Sequence, residues 1–364
     1  MSKYKKERRV MTHKEQTGFT LLETMVSLAV LLAVSAIVMG GMNQMMRTQG
    51  TVANRTEMHT SVRDATEVLE QEIGQAGKIS LLTPPPGTPT WLMTTPVVVP
   101  GTSPVTVAMT FSAALTTLFD NEQLLVDTGA NQETVTITCG GPPPAPTPGA
   151  CTTAGWWAGP FYNSHALNTP ISAPGAFSTG IVPPAAGVTP GYAGYTNCVP
   201  VAVQCGSTGT VLKLYGDLNG DGNMLYVEYT CVPGTPAAPG FLYRNQMPFN
   251  GAGPKLPVAP SMVVLSNVLV STTPAGVVVP CFTYQVVPVG TTNPDFAFVT
   301  DVAVTLTVQT PLQDPQTHQF QQETKALLNV SPRNVFNAYL LARQGTINRV
   351  QPMPLVTNTN LLYP

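Results

Sequence analysis

The chain has 364 residues, more than one average domain of about 100–200, and only 10% are charged against roughly 25% in ordinary soluble domains. With 36 Pro and 31 Gly it is too rich in breakers for a compact helical protein, and with 43% hydrophobic residues it has too much to bury for a disordered one. Six of the 17 Lys and Arg fall within the first 18 residues and none lies between Lys78 and Lys213, so the remainder is formally −6 and lacks the basic cluster of a nucleic-acid-binding surface.

The first 18 residues carry Lys3, Lys5, Lys6, Arg8, Arg9 and Lys14. From Phe19 to Met42 follows an apolar run with one charge, Glu23. At 1.5 Å per residue, about 20 such residues cross a bilayer core, and the basic flank would stay in the cytoplasm with the rest outside. A conventional signal peptide has a shorter apolar stretch, roughly 7–15 residues, ending at a small-residue cut site. A plain membrane anchor gives no reason for Glu23, since a charge near the bilayer core costs about 2.5–3.5 kcal/mol.

Gly18-Phe19-Thr20-Leu21-Leu22-Glu23 resembles the class III leader of type IV prepilins and type II secretion pseudopilins. The resemblance implies cleavage after Gly18 by a membrane-embedded prepilin peptidase and N-methylation of Phe19. It also implies an assembly role for Glu23, whose carboxylate would neutralise a neighbouring subunit's terminal amine inside an apolar filament core and so set axial register.

Residues 44–78 are expected to continue the helix. Met58, Val62, Ala65, Leu69, Ile73 and Ala76 recur at spacings of three and four as one apolar face, with Arg55, Glu57, Arg63, Asp64, Glu67, Glu70 and Glu72 on the polar remainder. Gly74 and Gly77 mark the end, and Pro84-Pro85-Pro86 rules out continuation. The stretch from Val68 to Gly77 is similar to the matching segment of PilW-type minor pilins, although Gly74-Gln75 stands where their usual Arg precedes Ala-Gly.

A β-rich head is expected over 79–337, with strands at Leu124–Thr138, Val211–Tyr215, Leu225–Tyr229 and Val302–Val308, and a polar tail over 338–364. Residues 140–200, rich in Pro, Gly, Ala and Thr, read as a long surface insertion. Its Trp156, Trp157, Phe161, Tyr162, Tyr192 and Tyr195 either pin it to the sheet or form an adhesive patch. Cys139, Cys151, Cys198, Cys205, Cys231 and Cys281 all follow the apolar run and read as disulfides; 15 pairings are possible, with Cys139–Cys151, Cys198–Cys205 and Cys231–Cys281 the local choice. His59, His165 and His318 show no ligand spacing for zinc.

The segment Asp217 to Glu228 matches the calcium-loop pattern D-x-[DN]-x-[DN]-G-x5-E, offering Asp217, Asn219, Asp221, the Asn223 carbonyl and Glu228 as oxygen ligands. Its flanks read as strands, and Asn219-Gly220 and Asp221-Gly222 are hairpin-turn dipeptides, so a metal-free hairpin stands beside the calcium reading. No G-x-S-x-G, P-loop or H-E-x-x-H occurs, and Asp120, Glu122 and Asp127 read as solvated loop acids, so no enzyme is expected.

The expected fold class is α+β: one long N-terminal helix, spanning the membrane in its first half over 19–43, packed on an antiparallel sheet. The expected function is a minor type IV pilin, exported through the inner membrane and assembled with other pilins into a surface filament. A J-type pseudopilin of type II secretion and a pilin-anchored adhesin share the same leader and remain alternatives.

Overall fold

The computed structural model describes residues 18, 20–81, 84, 90–112, 118–119, 121–141, 155–173, 177–184, 206–248, 255–289, 296–346 and 349–351. Helix α1 runs Leu21–Gln75 without interruption. Thr20 caps its start, accepting the Glu23 N–H at 3.3 Å, and the chain turns out at Ala76. The apolar face read from the sequence is the face that packs: Met58, Val62, Ala65, Leu69, Ile73 and Ala76 are all buried in one core.

In chain order the strands are β1 (Trp91–Met93), β2 (Val105–Met109), β3 (Gln123–Val126), β4 (Glu133–Cys139), β5 (Trp156–Phe161), β6 (Thr169–Ser172), β7 (Phe177–Ser178), β8 (Val211–Gly216), β9 (Leu225–Val232), β10 (Gly240–Pro248), β11 (Val263–Leu269), β12 (Ser271–Thr272), β13 (Val278–Val279), β14 (Phe282–Val289), β15 (Phe296–Gln309), β16 (Gln322–Val330) and β17 (Val350–Gln351). A second helix, α2, spans Arg333–Arg343.

An antiparallel sheet in the order β14-β15-β11-β10-β9-β8, with β16 added to β15, receives the distal half of α1. Strand β15 is long enough to pair with β14 over Phe296–Val304 and with β11 at Thr307 and Val308, while β16 takes its other edge. Its Val302, Val304, Leu306 and Val308 all point into the core, as the alternation requires. The described residues after Asn337, expected as a tail, join the same core. Val335, Ala338 and Ala342 lie at helical spacing on α2 and are buried, and β17 pairs in parallel with β7.

The larger departure concerns residues 90–172. They form a second antiparallel sheet, in the order β1-β6-β3-β4-β5-β2, with its own core of Trp91, Met93, Leu124, Ile137, Trp156 and Phe161 among others. This sheet closes on itself. Beyond β2, the Thr94 N–H donates to Thr110 O at 2.8 Å and the Ser112 N–H to Leu92 O at 2.9 Å, joining β1 to the end of β2. Closure removes exposed edges in a region that has no Lys or Arg to guard them. Residues 156–172, expected within a surface insertion, are therefore barrel wall, with Trp156 and Phe161 inside it.

The barrel is inserted between α1 and β8. Its entry and exit are neighbours, because Trp91 pairs with Ile171 and, further out, Lys78 bridges Phe177. Three glycines make that junction possible. Gly77 (φ 82°) would place a Cβ 2.8 Å from Ser178 O, Gly180 has φ 57°, and Gly216 would place one 3.0 Å from Gly77 N.

Glu72 sits three residues after Leu69 and so turns inward rather than to solvent, correcting its assignment to the polar face. Its carboxylate accepts Arg244 Nε at 3.0 and 3.1 Å, a second bond from the same guanidinium, and the Tyr229 hydroxyl at 2.5 Å. Burial and the Glu72 charge push the Tyr229 phenol up, so it stays a donor. Glu72→Ala leaves Arg244 without its anion, and we expect a loss of roughly 3 kcal/mol, read from denaturant unfolding of the full chain in detergent.

Candidate functional site

At the N-terminus, Gly18, Thr20 and every residue of α1 from Leu21 to Met46 are exposed, including Leu21, Leu28, Leu32 and Ile37. Phe19 lies outside the described residues. This is the one helix among the described residues long and apolar enough to cross a membrane. Glu23 is the acid of its first turn, placed where the helix presents its unpaired N–H groups and where negative charge is favoured. The head first grips the helix at Thr48, Gly50, Thr51 and Asn54. Gln316 donates to the Thr48 hydroxyl at 3.2 Å, the Thr51 hydroxyl donates to Asp314 at 3.2 Å, and Asn54 donates to Leu312 O at 3.5 Å. A Cβ on Gly50 would sit 3.0 Å from Pro315. About 40 Å of helix, at 1.5 Å per residue, therefore projects free of the head.

The calcium-pattern residues have other partners. Asp217 is buried and pinned to the exit of α1: Lys78 Nζ and the Ser80 hydroxyl donate to Oδ2, each at 2.9 Å, and the Gly222 N–H donates to Oδ1 at 3.3 Å. Asp221 caps the turn, accepting the Asn223 N–H at 2.8 Å, and that bond lowers its carboxyl below the usual range. Asn219, Asp221 and Asn223 are exposed on the turn, whereas Glu228 is buried inside β9, held by Lys255 and Tyr226. Among the described residues no group of three or more His, Cys, Asp or Glu is placed to hold a metal ion. The two carboxylates that the pattern pairs are separated along the strand, and each already faces a lysine.

Cys231 and Cys281 form a disulfide, joining β9 to the residue before β14. Cys139 is also disulfide-bonded, to a residue outside the described part. Cys151, Cys198 and Cys205, with Tyr192 and Tyr195, lie outside it too.

The barrel end opposite its attachment carries a cluster that the scattered histidines did not announce. His165 is buried between two carboxylates, with Nδ1 3.0 Å from Asp127 Oδ2 and Nε2 2.7 Å from Glu133 Oε1. Glu133 also accepts the N–H groups of Tyr162 and Asn163 at 2.7 and 3.0 Å, and His165 exchanges both backbone bonds with Val97. The cluster thus ties together the three loops of that end, whose surface shows Val98, Tyr162 and Leu167. Asp120 lies outside the described residues. Glu122, expected as a solvated acid, is buried at the start of β3, where its backbone bonds Ile137 and Phe119. Burial pushes its carboxyl well above the usual range, against the opposing pull of the Phe119 N–H.

Residues 13–39 match the family model described as the prokaryotic N-terminal methylation motif. The chain thus carries the processing and assembly segment of type IV prepilins and pseudopilins, and its N-terminal region is of that class. No curated protein and no solved structure matches the chain.

The His165 bond and the Thr128 N–H hold the Asp127 carboxyl below its ordinary value. A depressed folded value means that its contribution is complete above the unfolded value of about 3.9 and disappears as pH falls through the folded one. Melting temperature measured from pH 5 to pH 2 should therefore fall more steeply for wild type than for Asp127→Asn. Equal slopes would remove Asp127 from the account. For the Asp217 strut, Lys78→Met leaves a buried carboxylate without its cation and is expected to cost about 2–3 kcal/mol in the same unfolding assay.

Proposed function

We propose that the chain is a structural subunit of a type IV filament, of the minor-pilin kind and most like PilW-type subunits, that carries an additional β-barrel into the assembly. The observation that supports this most is the division of α1. Its distal half is consumed by the head's own core, while its first half, with the methylation motif, has no apolar partner among the described residues. A helix exposed in this way needs lipid first and neighbouring helices afterwards.

In this reading prepilin peptidase cuts after Gly18, Phe19 becomes the methylated N-terminus, and the head stands outside the inner membrane until the subunit is drawn into the filament. Glu23 pairs with the terminal amine of a neighbour in the filament core, where either charge alone is expensive. The inserted barrel enlarges the head on a side that α1 does not use, since the helix packs on the seven-stranded sheet and α2. A subunit so enlarged suits a rare or terminal place in a thin filament, where lateral neighbours are fewest. The function is that of a building block and a carrier, with the three pinned loops of the barrel end held farthest from the attachment.

The direct test is co-expression with a prepilin peptidase, followed by intact-mass and N-terminal analysis. The expected product lacks residues 1–18 and begins with methylated Phe19, and Gly18→Glu stays uncut. An uncut wild-type chain, or a cut beyond Ala36, would contradict the reading. Glu23→Ala should be processed normally yet enter filaments at least tenfold less than wild type, as about 1.4 kcal/mol or more of lost pairing requires.

A further inference from the structure

The face of the seven-stranded sheet turned away from α1 carries a buried charged cluster. Leu212, Leu214, Val227 and Tyr229 face α1, so alternation turns Lys213 and Glu228 to the other side. Asn245 shares that side, because its neighbour Arg244 reaches Glu72. Lys213, Glu228 and Asn245 are 3, 4 and 1% exposed. They also lie in one row across three strands, since Glu228 is directly opposite Lys213 in β8 and directly opposite Asn245 in β10. A fourth group enters from the segment after β10. Lys255 Nζ lies 3.0 and 3.2 Å from the two Glu228 oxygens, and the Tyr226 hydroxyl donates to Oε2 at 3.0 Å.

The Asn245 amide is tied to the backbone one residue beyond this lysine. Its Nδ2 donates to the carbonyl of Leu256, the next residue after Lys255, at 2.7 Å. Its Oδ1 is buried and has no hydrogen-bond partner. A buried carbonyl with no donor carries a desolvation cost, and a proton donor reaching its oxygen would relieve that cost and polarise the carbon. The ammonium groups of Lys213 and Lys255 both act on the Glu228 carboxylate, Lys255 by direct contact. Burial brings the Lys213 ammonium down to about 8, with Lys255 adding to the fall and Glu228 opposing it.

We propose that Lys255 and Asn245 join through an intramolecular amide bond, with Glu228 carrying the protons. Glu228 accepts a proton from the Lys255 ammonium, within the distance that such a transfer needs. Its acid form then donates toward the unpartnered Asn245 Oδ1. The Lys255 Nζ lone pair attacks Cγ of Asn245, the Cγ–Nδ2 bond breaks, and Nδ2 departs with the transferred protons as ammonium. One ammonium and one carboxamide become one secondary amide and one free ammonium ion, so no oxidant or cofactor enters. A lysine amine in a desolvated site is a competent nucleophile, and attack is intramolecular. The product removes one of the two ammonium charges and staples the segment following β10 to the sheet. This modification is independent of the filament reading.

Mass spectrometry of the full chain, expressed without prepilin peptidase so that residues 1–18 remain, tests it. After disulfide hydrogens are counted, the wild type should weigh about 17 Da less than its sequence, the mass of one ammonia. Proteolysis should release a branched peptide joining Asn245 to Lys255. Lys255→Arg keeps the ion pair with Glu228 but has no amine, and it should show the full mass while remaining folded. Glu228→Gln should do the same. A folded wild type at full mass overturns the proposal, as does a 17 Da loss that persists in Lys255→Arg.

Discussion

Everything in this molecule is arranged around an apolar helix that only half belongs to it. A helix of 55 residues is about 82 Å long, and the head covers only the part from Thr48 onward. The exposed half carries more than a dozen large apolar side chains. At roughly 1.5–3 kcal/mol for each one fully buried, removing them from water is worth tens of kcal/mol, more than a typical domain's whole stability. No internal rearrangement of a sheet already filled by the distal half could supply that burial. The surroundings must do so, and the methylation motif at residues 13–39 indicates which surroundings are used.

The head solves a second problem, that of adding material without disturbing the helix seat. The barrel is inserted where the chain leaves α1, and its two connections run side by side through the Gly77, Gly180 and Gly216 junction. The Asp217 turn braces the same place, reaching Lys78 and Ser80 across 139 and 137 positions of sequence. Entry and exit at one point let the barrel close its own core without sharing that of the helix. The ion pair of Glu72 with Arg244 locks α1 to β9 and β10 just below the junction, so helix, sheet and insertion meet at one stiff node.

Those parts governed by local periodicity were legible from the residues alone. The spacing of Met58 through Ala76 marked the buried face of α1, and the alternation in Val302–Val308 marked the inner side of β15. The class of the N-terminal segment was legible because its signal is contiguous: a small residue, an aromatic, a carboxylate and an apolar run. What escaped was decided at long range. Glu72 looked polar on composition although its position follows the Leu69 face. Trp156 and Phe161 sit in a Pro- and Gly-rich stretch that hid β5, β6 and β7. The Asp217 to Glu228 pattern left a calcium loop and a metal-free hairpin both open, and its strand flanks were legible; the partner that Glu228 finds in Lys255, far along the chain, was not. His165 had no motif at all, because Asp127 and Glu133 reach it through barrel pairing.

In the proposed arrangement the first half of α1 is sheltered from water in the cell and the second half is held by the head. Single cysteines placed at Ser27, Ser35, Thr56 and Ser61 can be probed with a membrane-impermeant thiol reagent under non-reducing conditions. Intact inner-membrane vesicles with the head side accessible should label Thr56→Cys and Ser61→Cys and leave Ser27→Cys and Ser35→Cys unlabelled until detergent is added. Labelling of the Ser27 and Ser35 positions in intact membranes, at the rate seen for Ser61, would contradict the central claim.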